Sequence, residues 1–162
     1  MPAARLALIA GSLALSGAAL AASPPSRAPG LWETATITDA GRTVAKECVG
    51  AGTDRLVRQA MTGLTCRNDD FKRTEDGGYA AGAICRSGPT SIDNKIVVSG
   101  DFESFARAEA TTVMTGLAGE PGGERRFRTT IEARKLGECA PGQRPGDVIL
   151  PNGTVINVPA GR

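Results

Sequence analysis

The 162-residue sequence contains no histidine. Serine–histidine and cysteine–histidine catalysis, and the usual histidine-containing zinc and non-heme iron sites, therefore have no residues to use. Aromatics are scarce as well: one Trp, one Tyr and four Phe are too few for the two aromatic girdles of an outer-membrane barrel. Nor does charge of one sign accumulate. Nineteen Lys and Arg stand against 17 Asp and Glu, and the resulting net charge of +2 exerts little pull toward nucleic acid. No apolar run approaches the roughly 20 residues that span a bilayer. Cys-x-x-Cys and Gly-x-Ser-x-Gly are both missing, which removes thioredoxin-type redox chemistry and the hydrolase nucleophile elbow.

What is present suits one globular domain. Apolar residues make up 41% of the chain, too many for a disordered polymer, and its 21 Gly follow no collagen period. The N-terminus reads as an address. Arg5 precedes an apolar stretch from Leu6 to Leu15, and Ala19-Leu20-Ala21 closes it with small residues. This is the pattern of a secretory signal peptide over residues 1–21, cut near Ala21. Gly11, Ser12, Ser16 and Gly17 break the stretch and disfavour a membrane anchor. Residues 22–28 form a Pro- and Ser-rich tether, 29–158 a single β-rich domain, and 159–162 a tail. The expected location is periplasmic or secreted.

Alternation dominates the domain. Leu31–Thr38, Thr43–Val49, Phe71–Glu75, Tyr79–Arg86, Ile92–Asp101, Phe105–Thr115 and Arg126–Arg134 all read as strands. Asp76-Gly77-Gly78 is a hairpin turn. Ala106, Ala108, Ala110, Thr112 and Met114 oppose Arg107, Glu109 and Thr111, and Phe127, Thr129, Ile131 and Ala133 oppose five polar residues. Such strands have one wet face. Between Ala51 and Leu64 the period changes: Leu56, Val57, Ala60, Met61 and Leu64 recur at helical spacing behind a Thr53 or Gly52 cap. A short helix near 53–62, with Met61 as core filler, is expected to pack on the sheet. The predicted class is α+β, an antiparallel meander of six to eight strands on one helix.

Four cysteines in an exported chain read as two disulfides rather than a metal site. Spacing alone leaves three pairings open. Counting back from the 76–78 turn places Cys66 roughly opposite the Cys85 to Ser87 region, at a separation a disulfide tolerates, and favours Cys66 with Cys85. Cys48 and Cys139 then close the two ends of the domain. A Cys48–Cys66 bond across the helix is the rival.

Other residues admit a functional and a plain reading. Arg125, Arg126 and Arg128 suit an anion or lipid-headgroup site, but also the solvated face of a strand paired across to acids such as Glu109. Asp69, Asp70, Asp101 and Glu103 would serve a carboxylate mechanism, yet no spacing matches an EF-hand or a glycosidase pair. Asn152-Gly153-Thr154 is a glycosylation sequon and equally a turn. Trp32 is either the anchor of the first strand or a ligand-facing, stacking aromatic.

Pro29-Gly30-Leu31-Trp32-Glu33, the order Cys48, Cys66, Cys85 and Cys139, and the run Leu136-Gly137-Glu138-Cys139-Ala140-Pro141-Gly142 resemble the bacterial domain-of-unknown-function family numbered 3617. The resemblance covers Pro29 to about Val158, with Lys135 where an aromatic is expected. It implies a periplasmic address and carries no catalytic residue, cofactor or metal. The expectation is a non-catalytic exported β-domain that binds an apolar ligand or an envelope protein. The alternative is a hydrolase-type enzyme working through carboxylates or a lysine, with Asp101 and Glu103 as its acids.

Overall fold

The computed structural model describes residues 25–56, 65–117 and 123–158. The expected signal segment, most of the expected helix with Met61, part of the 116–123 loop and the tail lie outside the described residues. Ten strands form one antiparallel sheet: β1 (Gly30–Thr38), β2 (Gly41–Val49), β3 (Thr65–Asn68), β4 (Lys72–Arg73), β5 (Tyr79–Ser87), β6 (Thr90–Gly100), β7 (Phe105–Thr115), β8 (Glu124–Gly137), β9 (Asp147–Ile149) and β10 (Val155–Asn157). Their order is β10-β9-β2-β1-β8-β7-β6-β5-β3, with β4 also on β5. Strands β5 to β8 are a meander. The β1–β2 hairpin closes onto the far edge of β8, and β3 and β4 are two pieces of one edge along β5.

The expected α+β class is therefore corrected to all-β: among the described residues there is no α-helix, and strands number ten rather than six to eight. The reason is visible at the predicted helix start. Thr53 turns back on Gly50, its Oγ1 accepting from the Gly50 N–H at 2.9 Å and its N–H donating to the Gly50 carbonyl at 3.1 Å. Asp54 accepts from the Leu56 N–H at 3.0 Å. Short polar side chains that bond the local backbone compete with helix formation. Leu56 reaches the core from a turn instead.

Facing residues in antiparallel register share a side of the sheet. One side, called inner here, carries Trp32, Thr34 and Thr36 on β1 beside Ala133 and Ile131 on β8, then Ala106 and Ala108 on β7, and Val98 and Ile96 on β6. The outer side carries Glu132, Arg107, Glu109 and Lys95, as the alternation in β7 and β8 predicts. Small alanines along the middle of the inner face let covering groups approach closely. Leu56, Phe71 and Phe102 lie against Ile96, Val98, Ala106 and Ala108, while Trp32, Val49 and Ala133 form a second cluster.

The β6–β7 connection holds the left-handed backbone this packing requires. Gly100 has φ +122°, and a Cβ there would sit 2.4 Å from the Phe105 carbonyl oxygen, so only glycine fits. Phe102 follows at φ +60°. It is held by backbone bonds to Phe105 and from Ala28 and by an edge-on contact with Tyr79 at 6.0 Å.

Cys48 is bonded to Cys139, with Cα atoms 5.5 Å apart, and Cys66 to Cys85, at 4.0 Å. Cys66 and Cys85 are direct register partners, which is the geometry the hairpin count calls for.

Candidate functional site

Residues 25–28 precede β1 and lie on the fold instead of trailing from it. The Ala28 N–H donates to the Phe102 carbonyl at 2.7 Å, and the Ala28 carbonyl accepts from Trp32 Nε1 at 2.9 Å. Between these anchors Arg27 turns inward, with only 1% of its side chain exposed. A buried guanidinium needs every donor matched. Its Nε and NH2 donate to Asp54 Oδ1 at 3.0 and 2.9 Å, NH1 to Thr34 Oγ1 at 3.0 Å, and NH2 also to Glu47 Oε2 at 2.6 Å. The Arg27 N–H adds a bond to Asp54 Oδ2 at 2.5 Å. The guanidinium carbon stands 5.4 Å from the Trp32 ring centre. Burial pushes the Asp54 carboxyl up, but the Arg27 charge and its hydrogen bonds, with the Leu56 N–H, outweigh it and hold Asp54 below the ordinary carboxylate range.

This knot borders an open part of the inner face. One cavity of about 400 Å³ is lined by Arg27, Thr34, Thr36, Glu47, Arg55, Leu56, Ile131 and Val158. Beside it, a second of about 530 Å³ is lined by Thr34, Thr36, Thr43, Val44, Ala45 and Glu47 under the Leu150-Pro151-Asn152 loop. Shared residues Thr34, Thr36 and Glu47 make them one groove across β8, β1 and β2. Its lining is methyl- and hydroxyl-rich, with charge concentrated at the Arg55–Glu47 end. Volumes of this size are those of small-molecule sites.

The residues singled out from sequence lie elsewhere. Trp32 is 0% exposed; it is a core anchor with no surface left for stacking. Asp101 caps the β6–β7 connection. Its Oδ1 accepts from the N–H groups of Glu103, Ser104 and Phe105 at 2.9, 2.8 and 2.9 Å, and its Oδ2 from Ser104 Oγ at 2.6 Å. These bonds, the Ser104 hydroxyl first, hold it far below the usual carboxylate range, so it is a poor proton carrier near neutral pH. Glu103 contributes only its backbone N–H to that cap.

Arg126 and Arg128 face outward, with Arg126 3.2 Å from Glu124. Glu109 pairs with Arg107 at 2.7 Å, and Arg107 also pairs with Glu132. Arg125 stands over Phe127 at 6.0 Å. For Arg126 and Arg128 this is the solvated-strand arrangement, whereas Arg125 shares the inner side with Phe127. Asn152 and Thr154 form the β9–β10 turn, the Thr154 N–H donating to Asn152 Oδ1 at 3.0 Å. Asp69 and Asp70 rim a cavity of about 380 Å³ on the outer face, with Lys72, Asp93 and Lys95. Among the described residues no cluster of three metal-ligating side chains occurs, and no helix is long and apolar enough to cross a membrane.

One polar group on the inner face is unsatisfied. Asn94, 6% exposed, has a buried Oδ1 with no hydrogen-bond partner among the described residues.

Sequence reasoning missed Arg27, Asp54 and Arg55. A lone arginine between prolines carries no periodic signal, and the helical reading of 51–64 rested on its apolar residues and assigned no role to Asp54 or Arg55. Glu47 was the one available hint: it is an acid in register with Trp32, on the apolar side of its strand.

A family model described as a protein of unknown function, DUF3617, matches residues 27–139. The match begins at the arginine of the knot and ends at the cysteine bonded to Cys48. No curated protein and no solved structure matches the chain.

Proposed function

The chain belongs to the DUF3617 family, and we propose that it is an exported, periplasmic or secreted, non-catalytic domain that binds an apolar ligand in the inner-face groove. The observation that carries this reading is the pair of adjoining cavities, about 530 and 400 Å³, sharing Thr34, Thr36 and Glu47. Leu56, Phe71, Phe102 and Trp32 cover the inner face at its two core clusters, and the groove is the open stretch beside them. A filled core needs no such opening. Export is supported by the charged start, apolar middle and small-residue end of residues 1–21, and by two disulfides, which persist in oxidising compartments.

The test is an apolar fluorescent probe such as N-phenyl-1-naphthylamine titrated into oxidised protein, beside a Thr36→Trp variant that fills the groove floor. Saturable fluorescence lost in Thr36→Trp, with an unchanged melting temperature, supports the reading. Probe fluorescence that is absent, or identical in the two proteins, opposes it.

A further inference from the structure

We infer that the groove takes a single-chain amphiphile with an anionic head, and that Arg55 receives the head. The inference rests on the groove reading above and names its ligand class. The two arginines of the groove differ in how much of their hydrogen-bonding capacity is used. Arg27 is 1% exposed and engages Asp54, Thr34 and Glu47. Arg55 is 31% exposed, and among the described residues its one ion pair is to Glu47 Oε1 at 3.6 Å. That distance exceeds a hydrogen bond, and the other oxygen of Glu47 is already bonded to Arg27 at 2.6 Å. The Arg55 guanidinium therefore stands at the groove with donors to offer. A planar fork of N–H groups matches a carboxylate or phosphate bidentately.

The walls next to Arg55 are apolar: Leu56, Ile131 and Val158, with Thr36 between. From there the groove passes Thr34 and Glu47 and continues over Ala45 and Thr43 to Leu150, Pro151 and Asn152. It crosses from β8 through β1 and β2 to the β9 loop, three strand spacings or roughly 14 Å. An arginine at one end and a run lined by methyl and hydroxyl groups are complementary to one charged head and one chain. Glu47, fixed beside Arg55, disfavours a second negative charge, so a singly charged head is the better fit.

Dodecanoate, dodecyl phosphate, dodecanol and dodecyltrimethylammonium, each below its micellar concentration, would be titrated as competitors of the bound probe against the oxidised full chain, Arg55→Gln and Arg55→Lys. At least one anionic compound is expected to bind about tenfold or more tightly than dodecanol. Arg55→Gln abolishes that preference of the anion over dodecanol, and Arg55→Lys retains part of it. Which anion binds better distinguishes a carboxylate from a phosphate source. Equal affinity for dodecanol and both anions, or an anion preference that survives Arg55→Gln, overturns the head assignment and leaves the groove standing. No competition by any of the four overturns both.

Discussion

Replacing Arg27 by Ala removes a guanidinium that makes four side-chain hydrogen bonds to Asp54, Thr34 and Glu47 and covers the Trp32 ring. What is left behind sets the magnitude. Asp54, with 7% of its side chain exposed, keeps the Leu56 N–H as a donor but loses its counter-charge. Stranding one member of a buried ion pair costs about 3–5 kcal/mol, whereas an exposed pair is worth about 0–1 kcal/mol. A loss in the upper range would lower the melting temperature by on the order of 10 °C. The pH dependence has a definite sign. In the native protein Asp54 titrates below its ordinary value of 3.8, so its contribution is fully present above about pH 4 and is lost as pH falls further. In Arg27→Ala only the backbone N–H groups of residue 27 and Leu56 still oppose burial, the Asp54 pKa rises, and the penalty is relieved as pH falls through that raised value. The deficit of the variant is therefore largest near pH 7 and shrinks toward pH 4. Urea unfolding of the oxidised proteins at several pH values measures it, and adding Asp54→Asn closes a double-mutant cycle. The double variant should cost less than the sum of the singles by about 2 kcal/mol. A loss under about 1 kcal/mol, or a deficit independent of pH, would refute the claim that Arg27 is a buried structural cation.

The disulfides close loops of different length, with sequence separations of 91 and 19 residues. Cys48→Ser should cost about 4–5 kcal/mol and Cys66→Ser about 3 in the chain-entropy model; non-reducing peptide mapping with urea titration checks pairing and rank together. Asp101→Ala should lower the melting temperature at pH 7 by uncapping the β6–β7 turn, with the difference narrowing below about pH 4, where the native carboxylate begins to lose its advantage. Thermal scans at pH 7 and pH 3 read this directly. Asn94→Leu should raise stability by about 1 kcal/mol, because it removes a buried acceptor left without a donor; a loss of stability in urea would show that Asn94 Oδ1 is satisfied in solution.

Strands β7 and β8 were legible because each puts mostly Ala, Ile or Thr on one side and Arg or Glu on the other, and period-two alternation survives whatever the neighbours are. The Cys66–Cys85 bond followed from the same count, since a two-stranded register fixes which residues face each other. At residues 53–56 the helical reading failed because helical spacing reports only that Leu56 is buried. It does not report that Thr53 and Asp54 spend their side chains on the Gly50 turn, the Leu56 N–H and Arg27. The short strands β9 and β10 escaped because Asp147–Ile149 and Val155–Asn157 are too brief to show a period. The groove was illegible for a different reason. Its residues come from β1, β2, β8, the 50–56 turn and the loop after β9, and Arg55 meets Ile131 only after β1 has paired with β8.

Native mass spectrometry of the protein purified from its own cell envelope reads export, disulfides and bound ligand together. The expected result is a mature chain beginning near Ala22, two disulfides, and a mass excess of a few hundred daltons that is lost on denaturation and is absent from Thr36→Trp purified alongside. A bare polypeptide mass in the wild type, or the same adduct on the groove-filled variant, would contradict it.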